Sequence, residues 1–202
     1  MTESVIRPNV ENPPNVFTQD EIGWTPWLEP LFESDLTDRH WAGLVDAARS
    51  KSPYFMLLVR DPDTLEARTK TDKDIFYNTT SGLPRAEREL AATAASRTNG
   101  CIFCASVHSR FASHHSKRTE NVERLLKEGT EVDLGSRRWN AVVAASVAIT
   151  ATPTEFDVED IVGLREEGLS DLEIADVIHG AAFFNWANRL MLSLGEPTPA
   201  GR

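Results

Sequence analysis

Residues 85–110 read RAERELAATAASRTNGCIFCASVHSR. From Arg85 to Thr98 the residues are strong helix formers with Pro84 just ahead of them, which predicts a helix opened by the proline. Asn99 and Gly100 break it, because this dipeptide favours turn conformations that a helix interior does not use. A second helix is expected directly after the break, with Cys101 at or near its first position and Cys104 one turn in. These are the only 2 cysteines of the chain. Residues on a helix advance by about 100°, so Cys101, Cys104 and His108 fall within a sector of roughly 60°. Two thiols and an imidazole sharing one face could hold a metal, staple the fold or exchange electrons with a substrate.

The helical pattern continues on both sides. LTDRHWAGLVDAARS carries Trp41, Leu44, Val45 and Ala48 at helical spacing behind a Thr37 cap. Ser52-Pro53 and Asp61-Pro62 are each arranged as a cap followed by a first-turn proline. Downstream, a Thr119 cap and a closing Gly129 bound one helix, and an apolar helix ends before Pro153. Two more follow, the last capped by Ser170 and stopped by Gly195. No alternation of period two and no hairpin dipeptide stands out, and no repeat or linker divides the chain. The expected fold is therefore all-α, with an extended N-terminal arm over residues 1–35 and a single helical domain over 36–202. The arm carries Trp24, Trp27, Leu28, Leu31 and Phe32, too much apolar area to leave in water.

Bulk composition narrows the function. With 202 residues, 41% of them hydrophobic, the chain can bury one sizeable core. A net charge of −10 argues against a nucleic-acid partner. No apolar run is long enough for a bilayer span, so no membrane partner is expected. The opening MTESVIRPNVENPPNVFTQ lacks the apolar core of a signal peptide, and two cysteines make no disulfide framework, so the expected location is cytoplasmic.

The chemistry of the cysteine helix follows from its start. Free N–H groups and the helix dipole favour a thiolate in the first turn, and thiols at i and i+3 can close a disulfide there with modest adjustment. Zinc fits less well. Cys101 and His108 lie about 10.5 Å apart along a continuous helix, too far to share one tetrahedral ion, and no second cysteine pair exists. His114 and His115 sit in a polar stretch and are read as solvated. A thioredoxin-like site would need a βαβ context that this sequence lacks.

Glu89, twelve residues before Cys101, completes a composite pattern. A Glu on one helix, a loop, then Cys-x-x-Cys-x-x-x-His opening the next resembles the alkyl hydroperoxidase D-like branch of the carboxymuconolactone decarboxylase-like superfamily, and within it the peroxidase-related proteins of about this length. The core resemblance covers residues 53–130, and AAFFNWANRLMLSLGEP, residues 181–197, is also similar. The resemblance implies an all-helical homo-oligomer and a thiol peroxidase or disulfide reductase that needs no haem, flavin or metal cofactor. It implies that Cys104 is the peroxidatic thiol, and that Cys101 is the resolving thiol that meets a dithiol reductant. Glu89 and His108 would form the proton relay, and the substrate would be a small hydroperoxide. In one respect the chain departs from the pattern. The best-known members carry a second histidine just before the second cysteine, and here Phe103 stands there, leaving the relay one member short.

Read as chemistry, a Cys104 thiolate would attack the O–O bond and become a sulfenic acid, which Cys101 would capture as a disulfide. His108, at i+4 from Cys104, is within hydrogen-bonding reach. Glu89 fits only if burial lets it hold and share a proton; otherwise it is a helix-surface salt bridge to Arg85. Ser96, on the Glu89 face, is a candidate supporting hydrogen-bond donor. His179 reads as a packed histidine, and Trp186, Asn188 and Arg189 as packing and capping. Two other functions stay open: the decarboxylase or isomerase chemistry of the superfamily, and a non-catalytic redox- or metal-sensing module.

Overall fold

The computed structural model describes residues 5–78 and 80–200. By its internal contacts the chain divides into two compact units.

The first unit takes residues 1–14, 22–74 and 190–202. A two-stranded antiparallel ribbon pairs β1 (Gly23–Pro26) with β2 (Gly195–Thr198), Trp24 lying opposite Pro197. No strand was expected from the sequence. Each strand is four residues long and contains a proline, too short a stretch for alternation to register. Trp24 is buried against the edge of Tyr54, ring centres 5.6 Å apart, and its indole N–H donates to the Met191 carbonyl at 3.3 Å. Helix α1 (Asp38–Leu44) starts from Thr37 with a reciprocal cap in which His40 supplies the returning acceptor. It stops earlier than the apolar spacing predicts. Val45 turns to φ +64°, and the Asp46 carboxylate accepts the Ala48 N–H at 3.0 Å, which starts a separate 3₁₀ turn. Helices α2 (Pro53–Leu58) and α3 (Pro62–Tyr77) follow, each with its proline in the first turn as expected. Leu44, Val59 and Leu65 form the core of this unit.

The second unit takes residues 15–21 and 75–189. Its centre is α4 (Arg85–Thr98), which is buried continuously from Glu87 to Ser96. Ala91, Ala92, Ala94 and Ala95 give that helix a slim profile, so neighbouring helices can approach on several sides. Helices α5 (Ile102–Ser116), α6 (Thr119–Glu128), α7 (Arg137–Thr150), α8 (Val158–Glu166) and α9 (Asp171–Leu194) follow it, and α4 packs most extensively on α5 and α7. Arg118, one residue before the expected Thr119, holds the N-cap position of α6 without a capping side-chain bond. Ser170 and Glu173 cap α9 reciprocally, with the Ser170 N–H 2.8 Å from the Glu173 carboxylate. Leu90, Leu125, Val142 and Val177 are fully buried in the core. Segment 15–21 runs along α5, held by the Ser106 hydroxyl on the Asp20 carbonyl at 2.6 Å and the Ser113 hydroxyl on the Gln19 side chain at 2.7 Å. The expected all-α fold is what the structure has, with one short ribbon added. Among the described residues, no helix is long and apolar enough to cross a membrane.

Candidate active site

The junction of α4 and α5 places the cysteines. Gly100 takes φ +79°, and the Cys101 N–H reaches back to the Ser96 carbonyl at 2.9 Å. A left-handed glycine followed by a hydrogen bond over five residues is the Schellman closure of a helix. Any side chain at position 100 would strain that backbone. The residue that closes α4 also opens α5, because Cys101 is the N-cap of α5 and its carbonyl accepts the Ala105 N–H at 3.0 Å. Cys101 therefore stands just outside the helix, where sequence spacing had put it at or near the first helical position, and Cys104 occupies the third. Both thiols are reduced and buried, with Sγ atoms 2.9 Å apart.

Their surroundings distinguish them. The Cys101 thiol is held below its ordinary pKa, chiefly by a hydrogen bond from the Cys104 side chain. Burial opposes that shift. The N–H groups of Cys104 and Phe103 and the Asn188 carboxamide add to it. The sulfur makes no regular capping bond, yet these donors still favour its charged form. Within the reduced pair these donors favour the charge on Cys101, with the Cys104 thiol as its donor. The pair's first deprotonation, followed by thiolate absorbance in the ultraviolet, should have its midpoint below the value of about 8.5 typical of a free thiol. A midpoint at or above that value contradicts this assignment.

The second pair lies between α4 and α5. Glu89 is 1% exposed, and its Oε2 is 2.5 Å from Nδ1 of His108. Its other oxygen accepts from Nε of Arg85 at 2.6 Å. The salt bridge to Arg85 that the sequence allowed as an alternative thus exists, but inside the protein and together with the histidine contact. A carboxylate at Nδ1 assigns the proton of a neutral imidazole to that nitrogen and leaves Nε2 as the basic site. The His108 ring is wedged between aromatic neighbours: Phe184 on α9 at 4.0 Å and Phe76 at 5.4 Å, centre to centre. Arg85 in turn stacks on Tyr77 at 4.1 Å. The imidazole is thus fixed by packing against two aromatic rings and by charge at one nitrogen.

The structure brings together the two cysteines at one end of α5 and Glu89 with His108 one turn further along. It also adds Asn188, read from the sequence as packing and capping, and makes Ser96, the expected supporting donor, an acceptor. Asn188 and Ser96 meet behind Cys101, where the Asn188 Nδ2 donates to Ser96 Oγ at 3.0 Å. Phe184 and Asn188 are four residues apart on α9, so one stripe of that helix touches both His108 and Cys101. The signal for Asn188 was available, since a polar residue within an apolar helical run is usually there for a hydrogen bond. His179, read as packed, is exposed, because it lies about 200° around the helix from buried Val177. His114 and His115 are exposed at the end of α5. Among the described residues, no three His, Cys, Asp or Glu side chains stand close enough to hold a metal ion.

Comparison with known proteins bears on this arrangement. Residues 62–148 match the carboxymuconolactone decarboxylase family. An uncharacterized peroxidase-related protein from Silicibacter sp. TM1040 has a similar structure, with a TM-score of 0.71 at 20% identity over 95% of each chain. The alkylhydroperoxidase AhpD core of an uncharacterized peroxidase-related protein from Ralstonia eutropha JMP134 gives 0.66 at 22% identity, over 80% of this chain and 85% of that one. The debrominase Bmp8 gives 0.65 at 20% identity, over 82% and 88%. At such identities the structural likeness is one of fold. Residues 62–148 thus carry a likeness to the carboxymuconolactone decarboxylase family, and the chain shares the fold of the peroxidase-related proteins.

Proposed function

We propose that the protein is a thiol-dependent oxidoreductase that reduces small hydroperoxides through the Cys101–Cys104 pair, with Glu89 and His108 as its proton relay. The observation that carries this reading is the 2.9 Å separation of the two Sγ atoms at a helix start. An oxidised product needs that proximity, and a structural role does not.

In this reading His108, its Nδ1–H held by Glu89, accepts the Cys104 proton at Nε2. The Cys104 sulfur attacks the distal peroxide oxygen, the O–O bond breaks, and the alkoxide takes the proton back from His108. The Cys101 thiolate then attacks the sulfenic sulfur, the S–O bond breaks, and the expelled hydroxide leaves as water after taking up a proton from solvent. Two electrons pass from the dithiol to the peroxide, giving one disulfide, one alcohol and one water. An external dithiol restores the pair. None of these steps draws on a cofactor. A reducing compartment such as the cytoplasm would keep the dithiol available, and a homo-oligomer is the proposed assembly, measurable as native mass.

A debrominase shares the fold, so substrate class is the question for the assay. Reduced protein mixed with an organic hydroperoxide should lose two thiols for each peroxide consumed, and mass spectrometry should find Cys101 and Cys104 joined. An added dithiol should reverse the change. Peroxide left unconsumed, with both thiols intact, rejects the reading.

A further inference from the structure

We infer that Asn188 is the positioning residue of the dithiol: its carboxamide, locked in one orientation by a chain of amides, turns its N–H toward the Cys101 sulfur and sets how readily the pair oxidises. The inference rests on reading Cys101 and Cys104 as a redox pair.

The lock follows from donor and acceptor counting, and it starts at the surface. Arginine can only donate. Exposed Arg189 places its NH1 3.3 Å from Oδ1 of Asn185, which fixes that atom as the acceptor. The Asn185 Nδ2 accordingly donates to the Ala181 carbonyl and to Thr150 Oγ1, both at 3.2 Å. With its oxygen so assigned, Asn185 can receive only a donor from Asn99, whose Nδ2 lies 2.8 Å away. The same Asn99 nitrogen lies 3.1 Å from Oδ1 of Asn188, which it fixes as an acceptor in turn. The Asn188 Nδ2 must then face the other way. One of its hydrogens goes to Ser96 Oγ at 3.0 Å, and the other is left on the side of Cys101, whose own backbone N–H is held by the same Ser96 and whose charged form the carboxamide favours. Reversing the Asn188 amide would set donor against donor at Asn99 and carbonyl oxygen against thiolate at Cys101. Asn188 is fully buried, which makes either clash costly.

The Cys101 backbone shares this anchor, since its N–H is bonded to the carbonyl of the same Ser96. The position and the electrostatics of the sulfur therefore depend on one α4 residue and one α9 residue. An N–H donor stabilises a thiolate more than a disulfide sulfur, so the reduced pair gains from it and the disulfide becomes the stronger oxidant.

Two variants test this: Asn188→Ala, which removes the donor, and Asn99→Ala, which keeps Asn188 but removes what orients it. The titratable and charged groups nearby are Cys104 and His108 on α5, Glu89 and Arg85 on α4 and Arg189 on α9, and all are unchanged in both. The readouts are the thiolate absorbance against pH and the disulfide–dithiol equilibrium against glutathione. Asn188→Ala should reduce the thiolate-to-thiol ratio at fixed pH about tenfold and shift the exchange equilibrium about tenfold toward the disulfide, about 30 mV more reducing. Asn99→Ala should shift both in the same direction by less. Folded variants, judged by far-ultraviolet circular dichroism, with both quantities within about twofold of the parent would overturn the inference. If Asn188→Ala fails to fold, Asn99→Ala decides alone. Neither readout uses peroxide, so a parent protein inert to peroxide would reject the proposed function and leave this test standing.

Discussion

Replacing Cys101 and Cys104 together by serine should lower hydroperoxide reduction by about 10³-fold or more while leaving the fold intact. Serine is a far weaker nucleophile than a thiolate and cannot carry the oxidised intermediates. The structural cost is small, because two hydroxyls in place of sulfurs 2.9 Å apart can hydrogen-bond to each other. The single variants separate the roles. In Cys101→Ser the attacking sulfur remains without a partner, so one peroxide is consumed and a sulfenic acid accumulates on Cys104, trappable by a dione reagent. Excess peroxide should drive it on to the sulfinic acid, which a dithiol does not reverse. In Cys104→Ala the remaining Cys101 thiolate has lost the donor that was its chief stabiliser, so its midpoint should rise toward the ordinary thiol range. Sulfenic acid trapped on Cys101 in that variant, at the parent rate, would exchange the roles of the two sulfurs. A superfamily lyase or isomerase reaction needs no dithiol, so turnover of a lactone or related acid undiminished in the double variant would identify that chemistry instead.

What could be read in advance depended on sequence distance. The offsets among Glu89, Cys101, Cys104 and His108 lie on two consecutive helices joined by one Asn-Gly turn, and local geometry carries them. Caps such as Thr37 and Ser170 were legible for the same reason, since each satisfies backbone groups within its own turn. The end of α1 was not, because Val45 adopts a left-handed backbone that nothing in its side chain favours. The ribbon was not, because β1 and β2 pair residues from opposite ends of the chain over only four positions. Asn188 falls in the same class. Its partners Asn99 and Ser96 are far away in sequence, and only tertiary packing turns a polar residue of an apolar helix into a contact on Cys101.

Changing Glu89 to glutamine should cost both activity and stability, and the ratio between the two tests the relay. The substitution preserves volume but removes the charge between Arg85 and His108. An amide whose NH₂ faces the imidazole makes Nδ1 an acceptor and moves the ring proton to Nε2, the atom the mechanism needs as a base. A wrong tautomer of this kind costs about 10²–10⁴-fold in turnover where a carboxylate orients a catalytic histidine. Arg85 meanwhile loses its counter-charge. Breaking a fully buried pair costs about 3–5 kcal/mol. Arg85, with 12% of its side chain exposed and stacked on Tyr77, keeps some solvation, so a loss of about 1–3 kcal/mol in urea unfolding is expected. His108→Gln supplies the contrast, because it deletes the base and leaves the Arg85–Glu89 pair in place. It should therefore lose comparable activity with a smaller change in stability. If Glu89 served only to pair Arg85, Glu89→Gln would unfold more easily yet reduce peroxide at the parent rate per folded molecule. A relay instead requires the two variants to converge in rate while they differ in stability.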